Sequence, residues 1–445
     1  MKKSFLYLSM FLLLLSCKKE QKVIDNKNVS KAEALSDNDI SDAYLYLLGR
    51  AFVLRQQRLD FEKEGFQWNK IQYRAPGGVN WANPNLDVVY MEAWIAVDEN
   101  NYVILEIPKI EGRYYTWHML NGWGETILNI NERTFPQKPY GKYALCLKGS
   151  NPKIPGDALR VDLPVKTSRV LARLELGKNV QEAVILEKQF KVIESGKPQI
   201  RPFYKLAHFT NDKLPGAELF DDASGILNSE PDINKGMENV RAKVKEVEKL
   251  VKSGSEARTR VDQIIKQKSL KELAELIKTP GEKQNGWSHP VGIGNYGSNF
   301  KTRTVVNLGG IWANNLREAI YFIRTGNDGS AVYTQTFAKN ELPQSKVKYF
   351  WSVICVDGKE FKVIPNPLKR YLLNNQSPLK FNNDGSLTII YSPKKPQNLP
   401  ESNWIPTPEG KKYNLTFRYY GPSQDIIDGS YSPPDLLKQQ TSKIN

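Results

Sequence analysis

Apolar residues recur every three or four positions from Ile40 through Ala43, Leu47, Ala51 and Leu54, which predicts a helix over 40–59 with Asp39 available to cap it. From Trp68 the texture changes. Short runs rich in Val, Ile, Tyr and Trp alternate with Pro, Gly and Asn clusters, and the clearest predicted strands are Val88–Val97, Tyr102–Ile107, Tyr114–Leu120 and Tyr143–Leu147. Asp98–Asn101 reads as a hairpin turn between the first two, Leu174–Gly177 closes a further strand-like run, and Glu182–Phe190 reads as a short helix. Over 232–279 a helical period returns. Ile233, Met237, Val240, Val244, Val247 and Val251 form one stripe, Gly254 interrupts it, and Val261, Ile264, Ile265, Leu273, Leu276 and Ile277 continue it to Pro280-Gly281. From Thr304 the β texture resumes. A short helix is expected at Ile311–Ala319 and strands at Ser330–Phe337, Tyr349–Val356, Ser386–Tyr391 and Tyr413–Tyr420.

The N-terminus has a different logic. Lys2 and Lys3 precede an apolar stretch from Phe5 to Leu15 broken only by Ser9, and Leu14-Leu15-Ser16-Cys17 follows in the order of a lipobox. The stretch is too short to span a bilayer as a helix. The expectation is a cleaved signal over 1–16 and lipidation (diacylglycerol and palmitate) of Cys17, with a polar tether over 17–39. The protein is then held to the cell membrane or the outer membrane on its extracytoplasmic side. Cys146 and Cys355, the remaining cysteines, lie in strand-like runs and read as small core residues.

Charge changes this picture little. The chain carries 63 Lys and Arg against 48 Asp and Glu, a formal +15. Positive charge is mixed with acids along the chain and forms no compact stripe interleaved with aromatics, so nucleic acid is not an expected partner. The expected partners are the membrane, through the anchor, and a small-molecule or glycan ligand.

Several separated motifs fall in a familiar order. Tyr349-Phe350-Trp351-Ser352, Pro365-Asn366-Pro367 with Arg370-Tyr371, Asn383-Asp384-Gly385-Ser386-Leu387, Asn403-Trp404-Ile405-Pro406, Phe417-Arg418-Tyr419-Tyr420 and Pro433-Pro434 resemble the domain of unknown function 1214. Asn85, Asp87 and Tyr90, Gly112-Arg113-Tyr114-Tyr115, Arg133-Thr134 and Gly141-Lys142-Tyr143 resemble its usual companion, the domain of unknown function 1254. Asn285-Gly286-Trp287, Tyr296-Gly297 and Arg303 lie in the join. The resemblance spans about residues 40–437 and implies two β-sandwich or barrel-like, jelly-roll-like domains joined by a helical segment, a mainly β fold. The corresponding division is an N-terminal β domain over 40–200, a helical connection over 201–300, a C-terminal domain over 301–437 and a tail over 438–445. It implies no reaction. The sequence departs from the family pattern at Leu86 and Val88, which flank Asp87, and at Asn121, where an aspartate is common.

The chemistry-bearing residues narrow the choice further. His118, His208 and His289 are the only histidines and none has ligand spacing to another, so neither a metal nor a cofactor is expected. Gly292-Ile293-Gly294-Asn295-Tyr296-Gly297 fits a dinucleotide fingerprint literally, but Pro290 precedes it and no strand leads into it, so it reads as a loop that needs glycine for its turns. Acid–base chemistry remains: Asp87 as a base with Arg113 beside it and Tyr115 as partner. Asn85, Tyr90, His118, Trp287, Tyr296, Arg303, Arg370 and Trp404 are the candidate ligand-binding residues. Nine Trp and 21 Tyr are ample for stacking on a sugar or an apolar ligand, and Trp81, Trp123, Trp287 and Trp404 stand near Gly, Asn or Pro as loop residues would. The leading expectation is binding of a small molecule or glycan in a cleft between two β domains. The alternatives are an ester or glycan hydrolase and a non-catalytic interaction module of the envelope.

Overall fold

The computed structural model describes residues 35–78, 82–278, 281–289, 291–397 and 399–439. The lipobox with Cys17, most of the tether, Trp81 and Pro280 lie outside the described residues. In chain order, helix α1 (Asp37–Glu62) precedes strands β1 (Gln72–Tyr73), β2 (Val88–Ala96), β3 (Val103–Ile107), β4 (Tyr115–Leu120), β5 (Thr126–Ile130), β6 (Gly141–Leu147), β7 (Leu159–Leu163) and β8 (Thr167–Glu175). Helix α2 (Val180–Glu187), β9 (Lys191–Glu194) and helices α3 (Ala223–Asn228), α4 (Glu238–Lys252), α5 (Ser255–Ile264) and α6 (Leu270–Lys278) follow. The remainder comprises β10 (Glu282–Gln284), β11 (Trp287–His289), α7 (Phe300–Gly309), β12 (Ala319–Asp328), β13 (Tyr333–Phe337), β14 (Val347–Asp357), β15 (Leu372–Asn374), β16 (Leu387–Ser392), β17 (Trp404–Pro406), β18 (Lys412–Pro422), α8 (Gln424–Ile427) and β19 (Leu437–Lys438).

These strands form four sheets among the described residues, with orders β1-β2-β8-β4-β5, β7-β6-β3-β9, β10-β11-β12-β18-β14-β15 and β17-β16-β13-β19. Each is open. The expectation of a mainly β protein with sandwich, barrel or jelly-roll domains is therefore corrected: the fold is mixed α/β. The physical reason lies at the edges. Alternation of apolar and polar positions identifies a strand and its two faces, but whether a sheet closes depends on what its edge strands pair with, and alternation does not encode that. The helices also contribute interior structure that strand texture does not announce.

Helix α1 is the clearest case. The stripe predicts one buried face, yet every residue from Ala43 to Leu54 is buried. Its polar groups are matched one by one: the Tyr44 hydroxyl donates to Pro215 O at 2.7 Å, Tyr46 to Asp232 at 2.8 Å, and Arg50 to Ser229 Oγ at 2.9 Å. Helix α7 crosses α1 at Gly49, where an added Cβ would stand 2.5 Å from Thr304 Oγ1. That close approach lets Thr304 donate to Leu45 O and Asn307 to Gly49 O. At its start Ser36, not Asp39, is the N-cap: Ser36 Oγ accepts from Asp39 N, and the Asp39 carboxylate accepts from Ser36 N, a capping box.

In the C-terminal half the helix expected at Ile311–Ala319 is absent. The helix lies earlier, capped by Asn299 and ended at Gly309-Gly310, and β12 begins at Ala319. The glycines of the 292–297 loop, Gly292, Gly294 and Gly297, all have positive φ, as its turns require.

Two large apolar cores stand out among the described residues. One gathers Val89, Met91, Ala93 and Ile95 of β2, Trp117 and Met119 of β4, Val170 and Ala172 of β8, and Leu105 and Leu145 of the second sheet. The other gathers Phe322, Trp351, Val353, Leu415 and Phe417 of the third sheet with Phe337, Leu387, Ile389 and Tyr391 of the fourth.

Candidate functional site

The first sheet gives its apolar face to the core, so the other face carries the alternate residues. These are Tyr90 and Glu92 of β2, Thr116 and His118 of β4, and Arg169, Arg173 and Glu175 of β8. That face is polar, yet most of it is buried. Residues of the third sheet and its approach meet it: Asn314, Glu318, Tyr321, Ser352, Arg418 and Tyr420. The two halves of the protein thus join through a polar layer, and buried polar groups must find partners.

At one end of the layer Glu318 pairs with Arg133 and accepts from Asn131 at 2.9 Å and from the Tyr114 hydroxyl at 3.1 Å. Arg133 also donates to the Tyr349 hydroxyl at 2.6 Å. In the middle, Arg173 Nη1 donates to Asn314 Oδ1 at 2.9 Å and to His118 Nδ1 at 3.2 Å. A guanidinium offers no lone pair, so His118 Nδ1 must accept, and the ring proton sits on Nε2, 2.9 Å from Thr126 Oγ1. Burial first, and the Arg173 charge second, push His118 well below the ordinary histidine range, so the ring is neutral.

At the other end Asp87 stands one residue before β2. Its Oδ1 accepts from Asn374 Nδ2 at 2.9 Å. Glu175, whose strand neighbour is Val88, accepts from Gln376 Nε2 at 3.1 Å and from Tyr114 N at 3.0 Å. One turn of the C-terminal half, Asn374–Ser377, therefore clasps two carboxyls of the N-terminal half. Burial raises the Asp87 pKa, and the Ser352 hydroxyl, the Asn374 amide and the Arg418 charge only partly offset it. Glu175 is raised by burial too, opposed by Tyr114 N–H and Arg113 and reinforced by Asp87.

Beside this clasp lies a cavity of about 370 Å³, lined by Leu86 and Asp87 from one half and by Arg370, Asn374, Ser377 and Ser402 among others from the second. Asn366 shapes its wall: its side chain bonds Ile364 O, Arg370 O and Arg370 N. Arg370 itself donates to Glu401 O at 2.6 Å and Trp404 O at 3.2 Å. A larger hollow of about 480 Å³ sits wholly in the C-terminal half. Its one carboxylate, Asp357, is used by the backbone N–H groups of Lys359, Glu360 and Lys362, so it offers little chemistry.

The structure brings together Asn85, Asp87, Tyr90 and His118 in the polar layer, with Arg370 at the cavity. Asn85 donates to the Tyr420 hydroxyl and accepts from Asp87 N. Arg113 is at the rim, donating to Glu175 O, Leu176 O and Glu182, not to the Asp87 carboxylate. Tyr115 faces the apolar core on the opposite side of the sheet, its hydroxyl on Pro139 O. Tyr296 and Arg303 belong to a separate cluster around Trp123, where Tyr296 N donates to Glu125 and Arg303 pairs with Asp232. Trp287 fills the C-terminal core, and Trp404 Nε1 donates to Ser392 O at 2.9 Å. Sequence reasoning missed Arg173, Glu175, Tyr321 and Asn374 as members of the layer. The signal for the first two was present: Arg169, Arg173 and Glu175 fall at even spacing, on one face of a strand whose other positions from Val170 to Leu174 are apolar. Among the described residues no three His, Cys, Asp or Glu side chains converge as metal ligands.

The raised Asp87 pKa makes a pH prediction. A carboxyl whose folded pKa exceeds its unfolded value adds stability that is complete below the unfolded pKa and lost as pH rises through the folded one. Asp87→Asn, which keeps an oxygen for Asn374, is expected to remove that loss. Relative to the parent, the variant should gain stability between acid and neutral pH. A pH series of urea denaturation curves checks this; parallel profiles would reject it.

Fold and layer together define a mixed α/β protein of two β-rich halves joined across a buried polar interface. Residues 67–194 match the family described as protein of unknown function (DUF1254), and residues 323–424 match protein of unknown function (DUF1214). The chain has the two-domain DUF1254/DUF1214 architecture. The crystal structure of the VPA0106 protein from Vibrio parahaemolyticus is similar with a TM-score of 0.65 at 17% identity, covering 91% of this chain and 100% of that one, a likeness of fold alone. An uncharacterized protein from Burkholderia cenocepacia gives a TM-score of 0.46 at 12% identity over 91% of this chain and 92% of that chain. No curated protein matches the sequence.

Proposed function

We propose that this protein is an extracytoplasmic lipoprotein, anchored through acylated Cys17, that binds a small molecule or glycan in the cavity between its two halves. The observation that carries the reading is the cavity of about 370 Å³, to which both halves contribute polar side chains: Asp87 from one, Arg370, Asn374, Ser377 and Ser402 from the other. A volume of this size is in the range of small-ligand sites. The serine and amide groups suit a hydroxylated ligand. The anchor rests on the Leu14-Leu15-Ser16-Cys17 sequence behind a short apolar run.

The test is thermal denaturation of the protein from residue 23 onward with a panel of mono- and disaccharides. A ligand that binds the folded state alone raises the melting temperature by mass action. The expected result is a rise that Ser402→Trp, which fills the cavity, abolishes. No rise across the panel, or a rise that survives Ser402→Trp, would sink the cavity reading. For the anchor, cells fed an alkyne-labelled palmitate should label the parent protein and not Cys17→Ser.

The same cavity favours one alternative, hydrolysis of an ester or glycan, because Asp87 lines it and Glu175 is held by the same Asn374–Ser377 turn, both with raised pKa values, as proton-transferring carboxyls have. Turnover of a bound ligand that disappears in Asp87→Asn while binding persists would decide for hydrolysis.

A further inference from the structure

The polar layer contains two arginines whose surroundings do not match their charge. Arg173 and Arg418 are 4% and 1% exposed. Arg169 and Arg303, equally interior, and the less buried Arg133 each pair with a carboxylate. Arg173 and Arg418 form no such pair among the described residues: the first is held by Asn314, His118 and backbone carbonyls, the second by Asn83 O at 2.8 Å and Asn83 Oδ1 at 3.1 Å. Two buried, uncompensated cations are costly. Asp87, whose charge acts on Arg418, makes no ion pair with it and has its pKa raised by burial.

The buried polar atoms without partners around the pair are mostly donors, with Asp87 Oδ2 the acceptor among them. Arg173 Nε, Arg418 Nε and Nη1, and Asn314 Nδ2 are buried without a hydrogen-bond partner. Arg173 lies 5.5 Å from the ring centre of Tyr90, and Arg418 5.5 Å from that of Tyr321. The Tyr321 and Tyr420 hydroxyls stand 2.9 Å apart. Burial raises the pKa of Tyr90 and of Tyr420, so these phenols keep their protons and do not serve as counter-charges. His118 is neutral and directs its lone pair at Arg173. Tyr90 and Tyr321 are only half-buried, so the layer meets the surface at these two residues. Guanidinium and amide donors without acceptors, around two unpaired cations, make the complement of an oxyanion.

We infer that the interdomain layer holds a small oxyanion, a carboxylate or phosphate group, between Arg173 and Arg418, with Tyr90 and Tyr321 at its edge. None of these four residues lines the Asp87–Arg370 cavity, so this site stands apart from the one proposed above. The anion would supply the counter-charge that Arg173 and Arg418 lack and tie the two halves together, since Arg173 comes from β8 and Arg418 from β18.

The test is thermal denaturation of the protein from residue 23 onward in sodium phosphate, sodium sulfate and sodium acetate, each against sodium chloride at matched ionic strength. At least one oxyanion should raise the melting temperature progressively with concentration. Arg418→Met and Arg173→Met should lose the rise, Tyr321→Phe should diminish it, and Arg370→Ala should retain it. A response to phosphate and sulfate alone assigns the site to phosphate-like groups, and a response to acetate assigns it to carboxylates. Where an arginine variant does not fold, Tyr90→Phe and Tyr321→Phe, which keep the rings, carry the test, together with equilibrium dialysis of radiolabelled phosphate and acetate. No rise above the chloride reference, or a rise undiminished in the arginine or tyrosine variants, would overturn the inference and leave ordered water as the occupant. Loss of saccharide binding in Ser402→Trp with the oxyanion response intact separates this site from the cavity.

Discussion

Arg303→Ala is expected to destabilise the fold by about 3–5 kcal/mol, the usual cost of stranding one partner of a buried ion pair. The Arg303 and Asp232 side chains are 1% and 0% exposed, with Nη2–Oδ2 at 2.7 Å and Nη1–Oδ1 at 3.2 Å, a two-pronged contact. The guanidinium also lies 4.9 Å from the Trp123 ring centre and 5.6 Å from that of Tyr46, whose hydroxyl donates to the same carboxylate. Alanine leaves Asp232 charged in the interior, held by the Tyr46 hydroxyl and the Asn234 backbone N–H, and empties the space against two rings. Urea denaturation measures the loss. The companion is Arg303→Met with Asp232→Leu, which removes both charges and fills their volume; it should recover most of the stability. A single-variant loss under about 1 kcal/mol, the range of exposed pairs, would mean that water reaches the pair. If Arg303 served a ligand, as its place in the join between motifs suggested, the loss would appear in affinity with stability intact. The geometry predicts the reverse.

Arg303 shows how far the sequence could be read. Its presence in a motif is visible along the chain, but its partner is not, because Asp232 belongs to a loop that only the packing of α7 against α1 brings near. The same limit divides the candidate site. Asn85, Asp87, Tyr90 and His118 could be singled out because polar or aromatic residues beside turns and within strands stand out from an apolar background. Arg173 and Arg418 could not be joined, because period-two alternation assigns residues to a face of their own strand and leaves open what covers that face. Strands such as β2, β4, β13 and β18 were legible from their β-branched and aromatic runs. β12 was not, because Trp312, Leu316 and Ala319 recur at helical spacing just after Gly309-Gly310 has ended the true helix. Sheet closure was the least legible property, since it depends on the partners of edge strands as short as the two residues of β1 or β19.

Trp287→Ala is expected to cost about 3–5 kcal/mol as well, by a different route: it opens a cavity in an apolar core. Asn285-Gly286 beside Trp287 suggested a loop at a pocket mouth. Both residues have positive φ and make the tight turn between β10 and β11, which sends the indole inward. Trp287 is fully buried, 6.1 Å from Phe417 between ring centres at 87°, an edge-on contact. Its Nε1 donates to Pro434 O at 3.0 Å, and Gln335 Nε2 donates to the same carbonyl at 2.9 Å. Pro434 O therefore keeps one partner in the variant, and most of the cost is the lost ring volume. The C-terminal segment should loosen too, because Trp287 and Gln335 hold it just before β19 pairs with β13. Limited proteolysis should cut the variant near residues 433–439 sooner than the parent, alongside the drop in urea midpoint. Trp287→Phe should fall between the two. A Trp287→Ala protein of parental stability that loses saccharide binding would instead make Trp287 a ligand residue and reverse this assignment.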